Sequence, residues 1–198
     1  MIDPELKLFC ATTNPGKLRE FQSAFRVEPV PGLKSIPPPE ETGLTFEENA
    51  ILKAVCYSGH CDGYLFVDDS GLEVDALGGA PGVYSARFAG PHATDAANNE
   101  LLLKRMRGVS DRTARFVCVV ALAEHGKLLR TFRGEVEGRL LEEPRGANGF
   151  GYDPLFFYPP FGCTFAEAPL ERKMGVSHRA KALALLGAYL EEARQELT

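Results

Sequence analysis

Tyr64-Leu65-Phe66-Val67 reads as a short buried strand, and it ends on two adjacent carboxylates, Asp68 and Asp69, followed by Ser70-Gly71. Ionised carboxylates after an apolar strand are costly unless a cation or a proton meets them, which suggests a metal site. Adjacent residues on an extended backbone point to opposite sides, so one of the pair faces a ligand directly while the other orients it or a water. A metal site is one outcome. The other is a solvated Asx turn in which Gly71 supplies positive φ, with Leu72 to Leu77 resuming as a second strand.

The flanking segments define an α/β chain. The apolar run Leu6 to Ala11 breaks at Thr12-Thr13-Asn14-Pro15-Gly16-Lys17, after which Leu18, Phe21 and Phe25 recur at helical spacing, giving strand, loop and helix. Proline density between Pro29 and Pro39 argues against regular structure and delivers Glu40-Glu41 to the next element. Thr45 with Glu48 makes a capping box for a helix from Phe46 to Tyr57, with Phe46, Ala50, Ala54 and Tyr57 inward. Gly78 to Gly82 is a loop, and Asp95 to Arg107 is a helix after Thr94. Ala114 to Ala123 and Leu128 to Val136 form a long hairpin around His125-Gly126, so much of the sheet is expected to be antiparallel. A Gly-rich stretch, Gly146 to Asp153, precedes the aromatic strand Leu155 to Tyr158. The last helix starts near Ser177 with Ala180, Leu183, Ala184, Gly187 and Leu190 inward. The expectation is a single domain over 1–198, bilobed, with a mixed sheet and flanking helices.

Composition removes several function classes. With 22 Lys and Arg against 27 Asp and Glu, the net charge of -5 offers no basic surface for a nucleic acid polymer. A free polyanionic ligand would have to be held by a few local cations and a divalent metal. The five cysteines are odd in number, scattered and without a C-x-x-C pair, as reduced core residues are. Apolar runs such as Phe116 to Ala123 are too short to span a bilayer, and no signal-peptide pattern opens the chain, so a cytoplasmic protein is expected.

Three further segments carry chemistry. Thr12 to Lys17, between a strand and a helix, offers backbone N–H groups, a helix dipole and a lysine to phosphate oxygens, although N-P-G is also an ordinary turn and the G-x-x-x-x-G-K-[ST] signature is absent. Phe150-Gly151-Tyr152-Asp153 could stack a base and hydrogen-bond its edge, or simply turn into the core. Lys173, His178 and Arg179 add cationic donors, the last two in a helix first turn where positive charge opposes the dipole and asks for an anion or a carbonyl. A structural histidine is the plainer reading of His178. Glu40, Glu41 and Glu48 could each complete a Mg²⁺ shell. The capping role occupies Glu48, which leaves Glu40 or Glu41 as metal partners of Asp69.

Six collinear segments resemble the inosine triphosphate pyrophosphatase family, whose bacterial members are XTP/dITP diphosphatases. They are Thr12 to Lys17, Glu41 to Phe46 running into Glu48 to Ala54, Asp68 to Leu72, Gly78 to Gly82 with Tyr84 to Arg87, Gly149 to Pro154, and Ser177 to Arg179. The resemblance implies an elongated α/β fold with a long mixed sheet, two lobes flanking a nucleotide cleft, and a homodimer. It also implies Mg²⁺-dependent hydrolysis of ITP, dITP and XTP to monophosphate and pyrophosphate. By the same resemblance Asp69 is general base and metal ligand, with Asp68 an alternative proton acceptor. Ser70 is a substrate contact, and Thr12, Thr13, Asn14, Pro15, Gly16 and Lys17 form the triphosphate loop. Phe150, Gly151, Tyr152, Asp153, Lys173, His178 and Arg179 are base-side contacts, His178 and Arg179 donating to the 6-carbonyl. Pro15 departs from the pattern and removes one N–H donor. A pyrophosphatase for modified pyrimidine nucleotides, a nucleotide sensor without turnover and a structural module are the alternatives.

Overall fold

A computed structural model describes residues 7–195. The chain enters a short strand, β1 (Leu8–Cys10), then α1 (Pro15–Ala24), the two-residue strand β2 (Glu28–Pro29) and α2 (Phe46–Ser58). Long strands follow: β3 (Tyr64–Val74) and, after α3 (Asp95–Arg105), β4 (Thr113–Glu124) and β5 (Lys127–Leu140). The chain closes with β6 (Phe156–Tyr158), β7 (Cys163–Thr164), the short α4 (Leu170–Met174) and α5 (His178–Gln195). Among the described residues these strands form one sheet in the order β2-β1-β3-β4-β5-β6-β7. β1 runs parallel to β2 and to β3, and β6 is antiparallel to β5 and β7, so the sheet is mixed as expected.

The hydrophobic pattern explains the order. Phe116 to Ala123 is buried without interruption, as a strand covered on both faces must be, and β4 lies at the centre of the sheet. Along β5, Phe132, Val136 and Leu140 are buried while Arg133, Glu135, Glu137 and Arg139 are exposed, the alternation of a strand with one face in the core. Only His125 and Gly126 join β4 to β5, both at positive φ (47° and 77°), which suits a tight antiparallel hairpin.

Several boundaries differ from the sequence reading. β3 does not stop at Val67; it runs through Asp68 and Asp69 to Val74, because cations inside the protein meet both carboxylates and the backbone can stay in the ladder. Asp75–Leu77 is a 3-10 turn rather than strand. Pro29 does enter regular structure, as half of an outermost strand where a missing N–H is tolerated. Helix α3 ends at Arg105 rather than Arg107. On α5 the buried stripe is Ala182, Leu183, Leu186 and Leu190, whereas Ala184 is exposed and Ala180 and Gly187 are half-buried. Leu6 lies outside the described residues.

The described chain forms two compact units. The first takes residues up to Asp69, Cys118–Gly134 and those from Arg179 onward; the second takes Ser70–Val117 and Glu135–His178. In the first, Phe21 stacks edge-on against Phe66 with ring centroids 4.9 Å apart, fastening α1 to β3. In the second, Phe116, Phe156 and Phe165 form an aromatic core with Leu72, Leu155 and Leu102. No helix among the described residues is long and apolar enough to cross a membrane.

The capping box on α2 is present in full: Thr45 Oγ1 accepts from Glu48 N–H at 3.1 Å, and Glu48 Oε2 accepts from Thr45 N–H at 3.2 Å. Phe46, Ala50, Ala54 and Tyr57 are buried as expected. Thr45→Ala should lower unfolding free energy by about 1 kcal/mol in urea denaturation.

Candidate active site

In the first unit, β3 presents Asp68 and Asp69 with relative exposures of 4% and 8%, and three elements bring cations to them. Alternation along the strand sends the carboxylates to different partners. Lys17, from the first turn of α1, places Nζ 2.9 Å from Asp68 Oδ1. Arg179, from the first turn of α5, donates to Asp68 Oδ2 through Nε at 3.2 Å and Nη2 at 3.0 Å, and its Nη1 donates to Glu20 of α1. The Cys118 thiol of β4 lies 3.8 Å from Asp68 Oδ2. Asp69 turns instead to α2, where Lys53 Nζ donates to its Oδ1 at 2.7 Å and to the Asp68 carbonyl at 3.0 Å.

These contacts give neighbouring aspartates opposite acidities. Burial opposes ionisation of Asp68, but Lys17, Arg179 and Lys53 outweigh it and hold the carboxyl far below the usual range. For Asp69 burial dominates over the attraction of Lys53 and Lys17, and Glu41 adds repulsion, so its pKa is raised. Burial opposes charge on Lys53, yet Asp69, Glu41 and Asp68 together push its pKa up. At 2.7 Å the Lys53–Asp69 contact is an ion pair near neutral pH. Asp68, ionised at every working pH, is thereby unsuited to accept a proton, one of the roles expected for it.

Glu41 shares the Lys53 ammonium with Asp69. Glu41 Oε1 lies 3.2 Å from Lys53 Nζ, so two hard oxygen donors from different segments converge on one positive centre, whereas Glu40 is exposed. That donor set suits Mg²⁺, which needs one or two protein carboxylates and takes its remaining ligands from phosphate and water. Among the described residues no group of three or more His, Cys, Asp and Glu side chains is placed to hold a metal by itself. Glu48 is committed to the cap, its Oε2 also accepting from Leu44 N–H at 2.6 Å. The segment bearing Glu41 is held by Asn49, fully buried on α2, which accepts from Gly43 N–H at 2.8 Å and donates to Gly43 C=O at 3.3 Å.

The expected phosphate loop is smaller than its six residues and less open in its backbone. Pro15, Gly16 and Lys17 already belong to α1, and Asn14 is the N-cap. Its Oδ1 accepts from Gly16 N–H at 2.8 Å and Lys17 N–H at 3.2 Å, while Asn14 N–H donates to Thr12 Oγ1 at 3.1 Å. The N–H groups of Asn14, Gly16 and Lys17 are therefore used internally. Thr12, Thr13 and Asn14, with Pro15, border a cavity of about 430 Å³ whose far wall is Pro29, Val30 and Gly32 to Lys34; Asp68, Asp69 and Lys53 are not part of its lining.

The second unit holds the other candidates. Gly71 shows no positive φ; a Cβ there would fall 2.3 Å from Ser85 Oγ and 2.6 Å from Gly82 O, so close approach, not an Asx turn, requires glycine. Ser70 beside it is half-buried. Tyr152 is buried, and its hydroxyl donates to Ser85 C=O at 2.8 Å, so it packs in the core rather than facing a base. Asp153, 2% exposed, accepts at Oδ2 from Phe150 N–H at 3.1 Å and from Lys173 Nζ at 2.6 Å, which shapes the loop from within. The Lys173 ammonium also sits 5.0 Å from the half-buried Phe150 ring. His178 is buried and stacks on Phe116 with centroids 4.8 Å apart and planes 14° from parallel. Arg179 is the clearest departure: the anion its helix-start charge requires is supplied by Asp68 and Glu20 inside the first unit.

Lys53 and Glu20 escaped the sequence reading as site residues. Lys53 lies within the quoted motif, between the buried Ala50 and Ala54, and a lysine on an inward helix face was the available signal. Glu20 likewise adjoins the buried Phe21.

Because Asp68 has its folded pKa below the ordinary 3.8, the unfolded chain binds more protons around that pH. Its stabilising contribution is complete above about pH 5 and is lost as pH falls through 3.8 toward the folded value. Asp68→Asn takes the carboxylate away from Lys17 and leaves Arg179 answered only by Glu20, and should cost about 3–5 kcal/mol at pH 7. In urea titrations the gap between parent and variant should narrow below about pH 4; parallel profiles would contradict the assignment.

The chain matches the Ham1 family model over residues 8–189. It is 51% identical to a dITP/XTP pyrophosphatase of Exiguobacterium sp., over 92% of this chain and 96% of that protein. It is 48% identical to a dITP/XTP pyrophosphatase of Listeria monocytogenes, over 97% of this chain and 98% of the relative. Among solved structures, the Staphylococcus aureus Ham1 protein superposes with a TM-score of 0.84 at 41% identity, covering 94% of this chain and all of that one. A HAM1 protein from Coxiella burnetii gives the same TM-score and identity over 94% of this chain and 99% of its own. With the family model spanning nearly all of the described residues and relatives this similar over almost their whole length, the chain belongs to the Ham1 family.

Proposed function

We propose that this protein hydrolyses non-standard purine nucleoside triphosphates, dITP, ITP and XTP, to the monophosphate and pyrophosphate, as a cytoplasmic Mg²⁺-dependent homodimer acting on free nucleotides rather than on a polymer. The observation that carries the reading is the convergence of Lys17, Lys53 and Arg179 on the Asp68–Asp69 step. The relatives named dITP/XTP pyrophosphatase support the substrate class.

Within this reading Asp69 and Glu41 would hold the metal. Mg²⁺, when bound, neutralises charge on the phosphate oxygens and the leaving pyrophosphate. Lys17 adds a positive charge at the start of α1, and Thr12, Thr13 and Asn14 offer side-chain hydrogen bonds to the same oxygens. Asp69 is the carboxylate suited to accept a proton from the attacking water, since Lys17 and Arg179 lock Asp68 as an anion. In the second unit, Phe150 supplies a stacking face and Lys173 and His178 the donors near the base, with Ser70 as a further contact. A donor facing position 6 favours hypoxanthine and xanthine, which carry a carbonyl there, over adenine.

A pyrophosphate-release screen over ITP, XTP, dITP, GTP, ATP and modified pyrimidine triphosphates, with and without Mg²⁺, tests the reading. Release should be Mg²⁺-dependent and largest for the first three; a preference for modified pyrimidines, or no release at all, would overturn it. Asp69→Asn should lower kcat by about 100-fold or more. The base must be deprotonated, so kcat/KM falls as pH drops through the Asp69 pKa. Lys53 lowers that pKa, and Lys53→Met should therefore move the acid limb to higher pH; an unmoved limb would remove Asp69 as the titrating group.

A further inference from the structure

Helix α3 has no part in the chemistry above, yet its first two turns hold the backbone of two other segments in the second unit. Asn98, 3% exposed, accepts from Ala89 N–H at 2.8 Å and donates to Ala86 C=O at 3.1 Å. Asn99 Nδ2 donates to Gly151 C=O at 2.8 Å, and Asp95 Oδ2 accepts from Gly151 N–H at 2.7 Å. Asp95 and Asn99 stand four residues apart on one helix face, so one face grips both backbone groups of a single residue. Asn99 Nδ2 also donates to Asp95 C=O at 2.9 Å, which fixes the amide that reaches the loop.

Gly151 is a sensitive place to grip. Its φ of 60° lies where a side chain is strained, and it separates Phe150 from the anchored Tyr152. With Phe150 N–H bonded to Asp153 and Gly151 held at both its N–H and its C=O, the path of the backbone beneath the Phe150 ring is set from α3.

We infer that Asp95 and Asn99 are positioning residues that fix the Phe150 to Asp153 loop for a purine base and leave the phosphate chemistry untouched. The inference rests on the reading that this loop receives the base. Its consequence is specific: releasing the clamp weakens affinity for the base-bearing end of the ligand and not for its phosphates.

Calorimetric titration with IMP and, separately, with inorganic pyrophosphate, both with Mg²⁺, distinguishes this from a general structural role. Asp95→Ala and Asn99→Ala should each weaken IMP binding by roughly three- to tenfold, the range for one lost hydrogen bond. Pyrophosphate affinity should stay within about twofold by the same scale, below the effect of one such bond. Asp95→Asn, which keeps an acceptor oxygen, should restore IMP affinity. Should Asn99→Ala fail to fold, Asn99→Asp keeps the shape, cannot donate, and gives the same test. Equal weakening for both ligands, unchanged IMP affinity, or no IMP binding by the parent would each overturn the inference. Turnover is not read in this experiment, so a parent that binds IMP but releases no pyrophosphate sinks the function proposal alone.

Discussion

Everything in the first unit is arranged around one buried anion. Asp68 sits on a strand whose neighbours Leu65, Phe66 and Val67 are fully buried, and removing a carboxylate from water costs several kcal/mol unless that charge is compensated. Compensation comes from two helix starts at once, Lys17 on α1 and Arg179 on α5, and Glu20 completes the balance on the arginine. None of the partners is dispensable to the others. Without Asp68, Arg179 would be a buried cation answered only by Glu20; without Arg179, two buried carboxylates would face one lysine. The pairing therefore fixes where α1 and α5 begin relative to β3. Its field reaches the adjoining thiols: burial and then the charge of Asp68 push Cys10 up to about 12, and Cys118 upward as well, so both remain inert thiols in the core.

A second device recurs at a smaller scale. Asn49, Asn98 and the Asp95–Asn99 pair each satisfy an N–H and a C=O of a loop that has no ladder of its own. A side-chain amide carries a donor and an acceptor, so it can stand in for a strand neighbour where the loop is too irregular to pair. The loops held this way carry Glu41, the Ser85 segment and Phe150. Rigid helices thus set the position of residues on loops, whose own backbones would otherwise leave polar groups unpaired.

The element pattern was largely legible in the sequence because it depends on local periodicity. The capping box, the inward face of α2, the hairpin around His125 and the Thr94 cap all follow from residues within a few positions of one another. The continuity of β3 was not legible: two aspartates and a glycine argue for a turn, and only cations from residues 17, 53 and 179 make an extended path tolerable. The same blindness to distant partners affected the site. Arg179, Tyr152 and Asp153 stand out in the sequence as polar or aromatic residues in unusual places, but their partners Asp68, Ser85 and Lys173 are distant in sequence and no local pattern names them. Lys53 lies on the inward face of α2 beside Ala50 and Ala54, which marks it as turned toward the protein, but its partner Asp69 is 16 residues away and no local pattern names it. The backbone of the Thr12 to Lys17 loop looked open because the capping choice of Asn14 was not weighed against ligand binding.

The division of labour between the two aspartates follows from strand geometry alone. Had the chain turned at Asp68, both carboxylates could have faced one solvent pocket with similar acidities. Because β3 stays extended, alternation separates them by a half-turn of side-chain direction, and each takes the environment of its own face. One face receives two helix-start cations and yields a permanent anion; the other receives a single lysine shared with Glu41 and stays close enough to solvent, at 8% exposure, to exchange a proton or a ligand. One ammonium held between two carboxylates leaves this face with an excess of negative charge. Lys53 keeps Asp69 and Glu41, from β3 and from the segment before α2, oriented toward a common centre.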